Sequence, residues 1–206
     1  MLRFTFIFSA MVVMIACNNP GKNKTETKDT TTNTANTIKE IGCPEDPDTL
    51  LSAMNLRDNS SVQAMIPDDS KPDSLSGQYH FYSAAPTSEI LTLTQHPGDG
   101  QFNISIFNVK YADKADRGYI LLEPKNFVSG KGIQLGMNKQ EIIDKLGTCY
   151  TAKDSADGYI ELYYRIESPK DTKNGFLFRN NMPIYYASYK LWKNKLGEFE
   201  FGFEYP

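Results

Sequence analysis

Few side chains in this chain could carry out chemistry. Its thiols and imidazoles are limited to Cys17, Cys43, Cys149, His80 and His96. His80 falls in an extended run and His96 beside a Pro-Gly turn. With no HxxxH or CxxC spacing and no carboxylate at a telling offset, the pattern gives no reason to expect a bound metal or other cofactor. A nucleophile would need an activating context. There is no Gly-x-Ser-x-Gly elbow and no convincing Ser-x-x-Lys, and Cys149 stands next to a helix-capping glycine in place of a base. Glu198, Glu200 and Glu204 form an acidic row of the kind glycoside hydrolysis uses, but alternation along one extended segment reads more simply as a solvated strand face opposite Lys190. The aromatic clusters Tyr163-Tyr164 and Tyr185-Tyr186, with Tyr189 and Trp192, are a stronger signal. In strands, one side of each cluster packs inward. The other can form an outward patch suited to protein partners or sugar rings, with Tyr164, Tyr186 and Trp192 as candidate contacts. The expectation is a non-catalytic binding domain.

Residues 1–17 set the compartment. Met1-Leu2-Arg3 is a short basic start and Phe4–Ile15 a largely apolar run, too short to span a bilayer as a stable helix, which is the layout of a secretory signal. Its ending, Met14-Ile15-Ala16-Cys17, resembles the bacterial lipobox. The resemblance implies cleavage before Cys17 and lipidation of its sulfur and new amino group, with residues 1–16 as signal peptide. Each buried methylene contributes about 0.8 kcal/mol, so two or three chains on one cysteine hold a protein on a membrane essentially for good. Asn18, where lipoproteins retained at an inner membrane often carry Asp, tilts the expectation towards an outer membrane, with the periplasmic or surface face left open.

Loss of residues 1–16 removes one cation, Arg3, leaving 21 Lys+Arg against 25 Asp+Glu. That balance lacks the basic footprint nucleic acid requires. Residues 17–37 hold Cys17 followed by a segment dominated by Thr and Asn with almost nothing to bury, which predicts a disordered tether reaching about 25 Å. The folded part is expected over 38–206, with a sub-boundary near 129. In an oxidising envelope Cys43 and Cys149 could pair. Closing a loop of ~100 residues contributes about 4–5 kcal/mol in the chain-entropy model.

Within 38–206, Asp46-Pro47 suggests a short helix with Leu50, Leu51 and Met54 on one side, and the polar stretch 57–77 suggests a long loop. Extended runs follow at 78–84, 89–95, 102–111 and 119–123. The best-marked element lies at 132–147, with a helix of about two turns expected within it: Asn138 as N-cap, Glu141 completing a capping box, Met137 and Ile142 as a hydrophobic staple, Ile142, Ile143 and Leu146 as the apolar stripe, and Gly147 as C-cap. Strands are predicted at 158–167, 175–178, 183–192 and 198–205, with a turn at 194–197. In the last strand Phe199, Phe201, Phe203 and Tyr205 share one face, and Glu198, Glu200, Gly202 and Glu204 the other. This predicts an α+β fold, mainly an antiparallel sheet with one buried and one wet face and one or two short helices packed on it.

Residues Gly132–Gly147, through Gly136, Met137, Glu141, Ile142, Leu146 and Gly147, resemble the "GMxxxEVxxxLG" motif of the SmpA/OmlA outer-membrane assembly lipoproteins and of β-lactamase-inhibitor-protein-like domains. The proline usual after the last glycine is replaced by Thr148-Cys149. The resemblance implies an α+β domain that binds other envelope proteins, and says little about which, because its residues cap and pack a helix. Two alternatives remain, a small envelope hydrolase and a carbohydrate-binding module acting on cell-wall or glycan material. Asp29-Thr30-Thr31, Asp48-Thr49-Leu50, Asp73-Ser74-Leu75 and Asp154-Ser155-Ala156 also resemble an O-glycosylation triplet used in some gram-negative envelopes.

Overall fold

The computed structural model describes residues 46–84, 89–112, 120–167 and 175–204, all within one compact unit, Lys39–Pro206. The signal peptide, Cys17, the tether and Cys43 lie outside the described residues.

Local capping chemistry builds α2 (Lys139–Leu146) as its sequence predicts. Asn138 Oδ1 accepts from Glu141 N at 3.0 Å, and Glu141 Oε2 accepts from Asn138 N at 2.6 Å. Gly147, at φ 77°, closes the helix through its N–H to Ile143 O. Ile142 and Leu146 are buried. The preceding strap is held to the sheet by backbone, since Gly136 N donates to Leu196 O and Leu196 N to Met137 O, both at 2.8 Å.

Eight strands form one mostly antiparallel sheet: β3 (Gln78–Tyr82), β4 (Glu89–Thr94), β5 (Ile106–Tyr111), β6 (Ile120–Leu121), β7 (Thr151–Asp154), β8 (Tyr159–Glu167), β9 (Ile184–Trp192) and β10 (Lys195–Glu204). Their spatial order is β6-β3-β4-β5-β10-β9-β8-β7, with only β3–β6 parallel. The fold is therefore sheet-rich α+β. Period-2 alternation assigns the faces. Phe199, Phe201 and Phe203 turn inward with Tyr185, Tyr189, Leu162, Phe107, Val109, Leu91, Leu93, Tyr79 and Phe81, and all belong to a single apolar core that also takes in Val62, Ile142 and Leu146 from the helices and Ile66 from the segment after the first of them.

Several segments depart from the sequence expectation. Leu50–Asn55 is not helical. It is a two-stranded hairpin, β1 (Leu50–Leu51) and β2 (Met54–Asn55). Ser52 takes φ 54°, and distant partners claim the backbone: Ser52 N donates to Val128 O and Gly130 N to Leu50 O, each at 2.7 Å. Within the supposed loop 57–77 lies α1 (Asn59–Gln63), capped by Asp58, whose side chain accepts from Ser60 N and Ser61 N, with Val62 buried. The expected strand at 175–178 is a single helical turn, α3 (Phe176–Arg179). This lets consecutive Phe176 and Leu177 both face the core, Phe176 stacking on Phe203 at 5.5 Å. β5 starts at Ile106, after a turn in which Phe102 takes φ 63° and Asn103 N donates to Gly100 O and Ile104 N to Phe102 O. The turn before β10 is the pair Lys193-Asn194 (φ 50° and 61°), the left-handed conformation that two-residue hairpins demand. It overlaps the predicted 194–197 only at Asn194, and Lys195–Gly197 already belong to β10.

Candidate functional site

The side of the sheet opposite the core carries a joined array of carboxylates, phenols and amides. Register alignment brings Asn108 of β5 beside Glu200 of β10 and Glu198 beside Lys190 of β9. Asn108 Nδ2 donates to Glu200 Oε2 at 3.0 Å and Glu198 Oε1 at 3.2 Å. Tyr186 OH donates to Glu200 Oε1 and Lys190 Nζ to Glu198 Oε1, at 2.6 and 2.8 Å. Further along, Glu204 Oε1 accepts from Arg165 at 2.6 Å and from Tyr163 OH at 2.9 Å, and Ser188 Oγ donates to Glu161 at 2.6 Å. The acidic row Glu198, Glu200 and Glu204 is thus braced by donors from neighbouring strands. The Lys190 partnership expected from the sequence is present.

Aromatic rings lie among these groups. Tyr163 stacks on Tyr186 with centroids 6.1 Å apart, and Tyr159 meets Trp192 at 5.0 Å. Lys153 and Lys190 sit over Tyr163 and Tyr159 at 5.6 and 5.7 Å. Trp192 lies flat on β10, where a Cβ at Gly197 would come within 2.6 Å of its ring, and remains 37% exposed. Burial pushes the Tyr186 phenol far above its ordinary range, and the Glu200 charge and hydrogen bond push the same way. Tyr163 is also raised, chiefly by burial. Lys190 is raised because its bond and charge pairing with Glu198 outweigh a larger opposing contribution from burial. These groups keep their neutral-pH protonation states, so the face is a fixed pattern of donors, acceptors and rings.

Of the candidate contacts, Tyr186 and Trp192 lie on this face and Tyr164 does not. Tyr164 is 7% exposed, pairs opposite Ala187 on the core side and donates to Gly147 O at 3.0 Å. Burial raises its phenol strongly. Its place on the open face is taken by Tyr163. The signal was present in the strand itself, since Tyr163 shares parity with Glu161 and Arg165, whereas Tyr164 shares it with Leu162. Asn108, Glu161 and Ser188 join the face through strand pairings that the sequence does not display.

On the core side Tyr164, Tyr185, Tyr189, Leu146 and Cys149 help line a cavity of about 80 Å³, smaller than the ~150 Å³ engineered cavity that admits benzene. Cys149 is disulfide-bonded; the Cys43 side of the expected bridge lies outside the described residues, as does Cys17. The histidines do not converge on a common ligand position. His80 Nδ1 meets Thr92 Oγ1 at 3.1 Å and His96 Nε2 meets Phe203 O at 3.0 Å. Among the described residues no three His, Cys, Asp or Glu side chains are grouped to hold a metal ion, and no helix is long and apolar enough to cross a membrane.

Compared with known proteins, the chain matches no family model, no curated protein and no solved structure.

Proposed function

We propose that this chain is a lipid-anchored envelope protein, attached through Cys17, whose α+β domain is non-catalytic and binds another envelope protein with the open face of its sheet. In this reading the two short helices lie against the inward face and stiffen the platform, and the membrane it occupies is the outer one. The observation that carries the reading is the braced face itself. Partly exposed Tyr163 and Tyr186 are held among carboxylates already engaged by neighbouring donors, and Trp192 lies beside Tyr159 on the same face. A rigid aromatic surface with satisfied polar groups loses little conformational entropy on association.

The test is crosslinking and affinity capture of the full-length protein from its own membranes, beside a Tyr186→Ala/Trp192→Ala double variant of matching circular dichroism. Capture of a defined partner by the parent and its loss in the variant support the proposal. Equal capture by both removes the open face from the mechanism. A second reading, a carbohydrate-binding surface, draws on the Trp192 ring lying flat over Gly197 beside Tyr159. A glycan array with and without Trp192→Ala separates it from the first.

A further inference from the structure

Three of the four Asp-hydroxyl triplets noted in the sequence fall within the described residues, and their surroundings differ. In Asp48-Thr49-Leu50 the acid is 5% exposed. Its carboxylate accepts from Leu50 N and from Lys131 N, the latter at 3.0 Å, so an enzyme docking from solvent cannot read it. In Asp154-Ser155-Ala156 the Ser155 hydroxyl oxygen accepts from Asp157 N at 3.1 Å, and its backbone closes the β7–β8 hairpin on both sides, donating to Tyr159 O and accepting from Gly158 N. That hydroxyl is built into a turn.

Asp73-Ser74-Leu75 is presented differently. All three residues are exposed, and Leu75 is 96% exposed in a domain that buries most of its other described leucines. The base of the loop is closed by Asp73 N to Gln78 O at 2.7 Å and Gly77 N to Asp73 O at 2.9 Å. Asp73 Oδ1 accepts from Leu75 N at 2.8 Å and Ser76 N at 2.9 Å. These bonds hold the triplet in one shape while leaving the Ser74 hydroxyl outside the loop's own hydrogen bonding. A protruding leucine contributes nothing to the core, and with an adjacent carboxylate and a free primary hydroxyl it forms a compact epitope for a modifying enzyme.

We propose that Ser74 is an O-glycosylation acceptor, recognised through Asp73 and Leu75. Ser74 Oγ attacks the anomeric carbon of a sugar carried on a phosphate- or pyrophosphate-linked donor. The glycosidic C–O bond forms as the bond from that carbon to the phosphate oxygen breaks. The phosphate leaves with the electron pair, the serine proton passes to a base of the transferase, and nothing is oxidised or reduced. The site lies on the loop leading into β3, away from the strands that carry Tyr163, Tyr186 and Trp192.

The inference rests on the envelope reading, because it needs the chain to meet a glycosyltransferase of that compartment. The test is peptide mapping by mass spectrometry of the full-length protein purified from membranes of the organism that encodes it, following the Ser74 and Cys17 peptides in one sample. A glycan mass on the Ser74 peptide, lost in Ser74→Ala and in Asp73→Asn and retained in Ser74→Thr, is the expected result. A bare Ser74 peptide, or a glycan confined to Ser155 or Thr49, overturns the proposal whatever the state of Cys17. A lipidated Cys17 beside a bare Ser74 refutes glycosylation alone, whereas an unmodified Cys17 refutes the anchor reading separately. Because Ser74 is exposed and unpartnered, Ser74→Ala folds as the parent does, and its melting curve verifies this.

Discussion

The sheet is joined across its middle by β5 and β10, and the joint depends on a missing side chain. Gly202 stands opposite Ile106, next to Phe203, whose N–H donates to Ser105 O at 2.9 Å. A Cβ at position 202 would overlap the Ser105 carbonyl oxygen and come within 2.7 Å of Ile106 Cα. Both obstacles are backbone, so no rotamer change relieves them, and β5 must move away from β10. Overpacking of this kind costs about 1–3 kcal/mol. Weakening the hydrogen bond beside it adds about 1 kcal/mol, so Gly202→Ala is expected to cost roughly 3 kcal/mol. At 2–4 °C per kcal/mol for a domain of this size, that is a fall in melting temperature of about 6–12 °C. Gly100→Ala is the control, because a Cβ there meets nothing within 4 Å and is expected to shift the midpoint by less than about 2 °C. Circular dichroism melts of the two variants and the parent decide the matter. A Gly202→Ala protein melting with the Gly100→Ala control would refute the claim that close backbone approach at this seam unites the sheet.

Other perturbations follow from the same contacts. Asn138→Ala removes the acceptor for Glu141 N and is expected to destabilise by about 1 kcal/mol in urea denaturation, whereas Asn138→Asp, which keeps a capping oxygen, stays near the parent. Tyr164→Phe deletes the phenol that donates to Gly147 O and should cost about 1 kcal/mol without altering partner capture, because the ring belongs to the core side. Burial raises the pKa of Glu89 above its ordinary 4.5, partly opposed by the hydrogen bond from Phe127 N. The folded state therefore holds that proton more tightly than the unfolded one, and stability complete at low pH is lost as pH climbs above 4.5 through the folded value. Glu89→Gln keeps an acceptor for Phe127 N and removes the titration, so urea midpoints measured from pH 4.5 to 8 should decline less in the variant, and parallel curves would contradict the assignment.

What the sequence reveals and conceals follows from the range of each interaction. α2 is legible to the residue because Asn138, Glu141 and Gly147 form its boundaries within a few positions of one another. The two faces of β10 are legible because Phe199, Phe201 and Phe203 alternate with Glu198, Glu200 and Glu204. The helix expected after Asp46-Pro47 fails because the partners of Leu50 and Ser52 are Gly130 and Val128, which no local pattern announces. α1 is concealed for a different reason. Asp58 is a strong cap, but Asn59-Ser60-Ser61 look like a loop, and only Val62 supplies an inward apolar anchor. On the candidate face, Tyr186 and Trp192 are identified by their strand, whereas Tyr164, expected among them, lies on the core side, as its parity with Leu162 requires. Asn108 reaches the face only through a pairing between β5 and β10, segments separated by much of the domain.

The strand order explains why that long-range pairing matters for the candidate face. Outward from the seam it reads β5-β4-β3-β6 on one side and β10-β9-β8-β7 on the other. Each side is accompanied by a short helix with an Asp or Asn cap, Asp58 or Asn138. In both, the residues four and eight positions past the cap, Val62 and Ile66 or Ile142 and Leu146, are buried in the common core. The polar array crosses the seam between the two sets of strands, with Asn108 from one side holding Glu198 and Glu200 from the other. Neither set of strands alone presents that arrangement. The core that stabilises the sheet and the polar array on its open face therefore depend on the same contact, the close approach of β5 to Gly202.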